Sequence, residues 1–190
     1  MKKIILFLAI SFLSTSIFSQ STWKSDLNHS KLNFSTIHLG ISEVEGLFKK
    51  FDATIVSNKE DFSDAVFTLT VDMTSVDTEI EMRDTHLKSA DFFDVETYPV
   101  MTFKSNSIQE IEKGKYLLSG ELTLHGISKP VTMSLWYRGT IENPNDKSLT
   151  SGFQLTGSIK RSDFNIGPKF PEAMLSDEVM IKADGEFKKQ

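Results

Sequence analysis

The 190-residue chain has no cysteine. That excludes a disulfide, a thiolate metal site, a cysteine nucleophile and an amino-terminal lipoprotein anchor. Positive charge is scarce: 21 Lys and Arg stand against 26 Asp and Glu, a formal net charge of −5. A chain that tracks phosphate needs the opposite balance, so nucleic acid is excluded as a main partner. Proline is sparse at five residues, and no Pro/Gly-rich linker, repeat or low-complexity tract interrupts residues 20–190. That stretch reads as one domain. Long apolar runs are also missing apart from Ile4 to Leu13, which is about ten residues short of a membrane span. Lys2 and Lys3 precede that run and small polar residues follow it, the order of a secretory signal. Residues 1–19 are therefore expected to be a cleaved signal peptide, with a periplasmic or secreted product beginning at Gln20. Cleavage removes two lysines and no acid, so the net charge becomes −7.

What is abundant is phenylalanine, fifteen residues of it, set in a period of two. Alternation of apolar and polar residues marks half-buried strands. Eight segments show it: 31–39, 50–57, 64–76, 100–108, 115–125, 130–141, 150–160 and 178–188. Turn residues at Glu112 to Lys115, Gly126 to Pro130 and Asn143 to Asp146 join neighbours in antiparallel fashion. Residues 41–48 read as a short turn of helix. Residues 77–93 lack strand periodicity and read as a helix plus loop, capped by Asp77 or Thr78. Eight such strands close as a sandwich or an up-and-down barrel, and the near-continuous connections favour the barrel. The expected fold is all-β, an eight-stranded antiparallel lipocalin-like barrel with a helical crossover after the third strand.

The inward face is long, aromatic and almost uncharged. It either forms a solid core or surrounds space for a guest. Prominent Met and Phe suit an adaptable apolar pocket, and Gly120 and Gly157 interrupt the inner face, which would leave room. The residues expected around a bound chain are Phe34, Phe67, Leu69, Met101, Phe103, Leu122, Met133, Leu135, Phe153 and Leu155.

Polar chemistry is thin. His29, His38, His86 and His125 show no metal-ligand spacing, so no metal or other cofactor is expected. The densest polar group is Arg83-Asp84-Thr85-His86. With no nucleophile elbow or carboxylate pair beside it, it reads as a structural tie or as a head-group contact at the barrel mouth. Arg161-Ser162-Asp163-Phe164 reads as a tight turn with a local Arg–Asp pair. An enzyme acting on a hydrophobic substrate through His86 or His38 is the alternative.

Several ordered motifs carry a resemblance. They are Trp23 to Phe51, Val76-Asp77-Thr78 with Arg83-Asp84-x-His86-Leu87, and Asp91-Phe92-Phe93-Asp94 with Tyr98-Pro99. Further along stand Gly120 to Gly126, Lys129-Pro130-Val131, Arg161-Ser162-Asp163-Phe164 and Ser176-Asp177-Glu178-Val179. Together they resemble the YceI-like family of bacterial exported proteins. The resemblance implies a lipocalin-like barrel holding a polyisoprenoid or other long amphiphile, no known enzymatic activity, and dimers in some members. Asn165 departs from the glycine often found after the Arg-Ser-Asp-Phe run.

Overall fold

Alternating segments dominate the chain, and strands dominate the fold. A computed structural model describes residues 20–190; the expected signal peptide, residues 1–19, lies outside the described residues. The strands are β1 (Ser21–His38), β2 (Ser42–Phe48), β3 (Phe51–Ser57), β4 (Val66–Asp72) and β5 (Val76–Asp77). Helix α1 (Glu81–Lys88) follows, then β6 (Val100–Glu112), β7 (Lys115–Leu124), β8 (Ile127–Glu142), β9 (Leu149–Lys160) and β10 (Leu175–Lys189). All belong to one antiparallel sheet ordered β10-β9-β8-β7-β6-β4-β3-β1-β2-β5, and β10 also pairs with β1. That pairing closes a barrel of eight strands, β1, β3, β4, β6, β7, β8, β9 and β10. β2 continues the line of β3 along the far half of β1, and β5 pairs with β2.

The eight-stranded antiparallel barrel is the expected fold, and three local expectations are corrected. Of residues 41–48, Ser42–Phe48 form strand β2, not a helical turn. Its inward position at Gly46 is filled by the Phe34 ring and the Thr78 methyl, either of which a Cβ there would strike. The missing side chain hid the alternation. The first strand begins at Ser21, ten residues early, because a bulge after Asp26 breaks its periodicity. Helix α1 takes no side-chain cap from Asp77 or Thr78; Asp77 accepts from the Glu79 amide and Thr78 binds Asp84 instead.

Turns follow the predicted chemistry. His125 and Gly126 form a two-residue β7–β8 turn with both φ values positive, 51° and 71°. That is the primed turn whose twist matches the flanking strands. Asn165 sits at φ 53°, ψ 35°, in the left-handed region. Asn tolerates that region better than most residues, so it serves where glycine would.

The interior holds two apolar clusters, one toward each end. The first centres on Trp23, Ile55, Phe62, Tyr116, Leu135, Phe153 and Phe187. Phe62 is its plug, with ring centroids 5.0 Å from Tyr137, 5.0 Å from Phe153 and 5.3 Å from Trp23. Buried Tyr116 donates its hydroxyl to the Asp61 carbonyl at 2.5 Å, tying the β3–β4 loop over this end. The second cluster gathers Phe48, Val71, Met73, Phe92, Phe93, Phe164 and Ile166 under the crossover.

Candidate functional site

Between the two clusters the barrel is hollow. A cavity of about 230 Å³ runs through the lumen, far above the roughly 10–15 Å³ that admits one water. Its walls come from every barrel strand. All ten apolar residues expected from the alternation line it: Phe34, Phe67, Leu69, Met101, Phe103, Leu122, Met133, Leu135, Phe153 and Leu155. The cross-strand register explains why they converge, since Leu69 pairs with Phe103, Phe103 with Leu122, and Leu135 with Leu155.

The lining has members that the sequence reading left out. Phe48 was missed with β2, Phe51 and Ala53 lie in the expected strand 50–57 without being named as lining, and Ile181, Ala183 and Phe187 of β10 face in although only their alternation was noted. The glycine expectation is also corrected. Gly120 and Gly157 do not leave the lumen empty: the Phe103 ring lies in the first notch and the Met133 thioether in the second. Each glycine is the seat of a neighbour's side chain.

The three polar candidates lie elsewhere. Arg83, Asp84 and His86 are not among the lining residues. Arg83 donates from Nε to Thr78 Oγ1 at 2.8 Å and from a terminal nitrogen to the Thr78 carbonyl at 2.7 Å. Asp84 accepts from the Thr78 amide at 2.8 Å and its hydroxyl at 2.6 Å. These bonds fasten α1 to the segment that leads into it. His86 reaches Asp91 at 3.3 Å and packs edge-on to Phe92, with centroids 5.0 Å apart. What the crossover gives the cavity is apolar: Leu87, Phe92 and Phe93.

That end is held shut by a clasp. Asp91 accepts from Lys169 at 2.6 Å, joining the crossover to the loop between β9 and β10. Phe92 and Phe170 stack across the same join at 4.9 Å. Hydrogen bonds from Lys169 and His86 hold the Asp91 carboxyl below its ordinary value of 3.8.

Arg161 stands behind the clasp and was misread as half of a local Arg–Asp pair. It is only 6% exposed. Its guanidinium donates to five backbone carbonyls, those of Ser176, Ile166, Gly167, Phe170 and Leu175, at 2.6–3.1 Å. All five N–H groups are used, so it pins the β9–β10 loop and has no donor left for a guest. Asp177 takes the Ser162 amide and hydroxyl instead.

The remaining histidines are placed as ties or at the surface. His125 Nδ1 meets the Phe164 carbonyl at 3.0 Å and its ring abuts Tyr98 at 4.7 Å. His38 is exposed where β1 ends. Asp26, His29 and Glu186 bring possible metal-ligand atoms within 4.8 Å of one another. Lys188 already supplies a cation there, 3.0 Å from Asp26, and with His29 it lowers the Asp26 pKa. Neither His38 nor His86 lines the cavity.

Comparison with known proteins places this barrel in a family. The sequence pattern of the YceI-like domain matches residues 23–187, almost all of the described chain. The chain belongs to the YceI-like family. Among its relatives is a UPF0312 protein of Staphylococcus aureus strain N315, 35% identical over 159 residues. That match covers 84% of this chain and 89% of the relative. The crystal structure of BcnA from Burkholderia cenocepacia superposes with a TM-score of 0.75 at 30% identity, covering 85% of this chain and 98% of that one. A structure described as a polyisoprenoid binding domain from Saccharophagus degradans superposes with a TM-score of 0.68. It covers 88% of this chain and 98% of that one, and at 18% identity it shows a shared fold.

Proposed function

We propose that this YceI-like chain is an exported carrier that holds a polyisoprenoid or similar long amphiphile in the barrel lumen. The observation that carries the reading is the 230 Å³ cavity, walled by apolar side chains from every barrel strand and covered by a clasped crossover. The Saccharophagus degradans domain of the same fold, described as polyisoprenoid binding, supports it.

The physics needs no reactive group. Each methylene moved from water into the lumen contributes about 0.8 kcal/mol, so a chain of modest length binds tightly by burial alone. The space is narrow beside the roughly 300–1,000 Å³ of common ligand pockets. A long chain is therefore housed by displacing the movable fillers, Phe103 from the Gly120 notch and Met133 from the Gly157 notch. The basic start and apolar run of residues 2–13 support export, and an exported medium is where a water-insoluble molecule needs a carrier.

Native mass spectrometry of the protein purified from its own host, followed by organic extraction, tests the reading. The expected spectrum shows an adduct that organic solvent releases as a long-chain lipid. A spectrum of bare protein, together with failure to take up added polyprenol, contradicts it.

A further inference from the structure

At the clasped end of the barrel, apolar side chains stand on the outside as well as within. β1 and β2 are joined by Leu39, Gly40 and Ile41. The Ile41 amide donates to the His38 carbonyl at 3.2 Å, and the residues between, Leu39 and Gly40, both have positive φ, 52° and 69°. The Leu39 amide donates to the Met174 carbonyl at 2.9 Å, which ties this hairpin tip to the β9–β10 loop. That loop is the one that brings Lys169 and Phe170 to the clasp. Three large apolar side chains are left in water on the tied pair: Ile41 is 85% exposed, Leu39 50% and Met174 44%. None of them lines the lumen. The turn stands clear of the barrel, since a Cβ on Gly40 would meet nothing within 4 Å.

Single exposed apolar residues are ordinary, but Leu39 is out of place twice over. A turn with positive φ at both central residues takes Asn-Gly by preference, and a bulky side chain is strained there. Asparagine would serve the turn and the water better, so the leucine points to contact with something apolar. Ile111, Ile141 and Leu149 are exposed toward the plugged end. The turns beside them carry Glu110, Glu112, Lys113 and Lys115, and Glu142, Asp146 and Lys147. Those charges would have to shed water in an apolar contact. Leu39-Gly40-Ile41 and Ala173-Met174 contain no charge; the nearest ionisable neighbours along the chain are His38, Glu43 and Glu172.

Three side chains at loop tips are too few to hold a second copy, since a stable interface takes about 20–30 residues from each side. A bilayer accepts such tips at its headgroup and acyl boundary. We infer that the Leu39–Ile41 turn and Met174 dip into a lipid bilayer and seat the clasped end of the lumen on it. The guest then passes between membrane and barrel without crossing open water. The docking rests on the lumen being a lipid site. Charge selects the kind of surface. Without residues 1–19 the chain carries a net charge of −7, and Glu43 and Glu172 flank the tips. Anionic headgroups repel such a chain, so the docking surface is zwitterionic.

Cosedimentation with phosphatidylcholine vesicles measures the docking. Polyprenol uptake in solution, read by displacement of the dye N-phenyl-1-naphthylamine, measures the lumen separately. The native protein is expected to sediment with the vesicles to the same extent at low and high salt. Ile41→Ser weakens this about tenfold, the effect of one large apolar side chain left in water. Leu39→Asn weakens it by a similar factor and keeps or raises the thermal midpoint, a combination that a structural role for Leu39 does not give. Both variants leave polyprenol uptake unchanged, and Ile141→Ser at the plugged end changes neither measurement. Polyprenol uptake without vesicle binding overturns the docking while the carrier reading stands. So does vesicle binding that Ile41→Ser and Leu39→Asn do not weaken, that Ile141→Ser weakens as much, or that appears only with added phosphatidylglycerol. A native dimer that Ile41→Ser dissociates, with no vesicle binding, makes the tips a contact between copies and overturns it too. If neither the dye nor polyprenol binds in solution, the carrier reading fails and the docking with it.

Discussion

The most consequential single residue in the structure is Arg161, a buried cation that faces five carbonyl oxygens and no carboxylate within bonding reach. Burying a charge is unfavourable unless hydrogen bonds replace its water, and here the loop backbone replaces all of it. The planar guanidinium is what allows one side chain to hold carbonyls from Ile166 to Ser176 at once. Lysine has three donors on a single point and cannot span them. Arg161→Lys therefore orphans at least two buried carbonyls, at about 1–3 kcal/mol each. Urea unfolding is expected to show a loss of that size, and an unchanged midpoint would remove the clamp from the account. The residue was visible in the sequence; its partners were not. Backbone carbonyls leave no signature in side-chain spacing, so Asp163 looked like the obvious partner.

Among the elements, those with strong alternation were legible: β4, β6, β7, β8, β9 and β10 have their apolar positions on the expected face, apart from Ile141, which the β8 bulge between Tyr137 and Gly139 leaves exposed. β2 was not, because Phe34 and Thr78, distant in sequence, fill the place of the side chain that Gly46 lacks. The first half of β1 was not, because four bulged residues shift its phase. The crossover was read correctly as irregular; of its polar residues, Arg83 and Asp84 tie α1 to Thr78, and His86 meets Asp91 of the clasp. That clasp responds to acid. The Asp91 pKa is lowered by Lys169 first and His86 second, so the unfolded chain binds the proton more readily than the folded one. The clasp's contribution is then fully present above pH 3.8 and is lost as pH falls through the lowered value. The same sign applies to Asp77, held down by Lys49, and to Asp72, held down by Thr74, on the neighbouring segments. Asp91→Asn is expected to lower the unfolding midpoint at neutral pH, with the difference from the native protein closing in strong acid. A difference that is constant with pH would mean the carboxylate's charge plays no part.

Seen as a whole, the molecule is a closed barrel plugged at one end by Phe62 and its aromatic neighbours and covered at the other by the crossover and the β9–β10 loop. Closure was readable from strand count and short connections, because an eight-strand sheet of one-sided apolar strands has few ways to bury itself. Hollowness was not readable: alternation gives the direction of side chains, while the balance of filled and unfilled volume depends on which rings swing into which notches. Phe103 and Met133 decide that balance here. The central claim is that the lumen is a space for a guest. The direct measurement is a high-resolution electron-density map of the protein isolated from its own host without detergent. The account predicts continuous elongated density among Leu69, Met101, Leu135 and Leu155. A map in which the protein's own side chains occupy that space completely would contradict it.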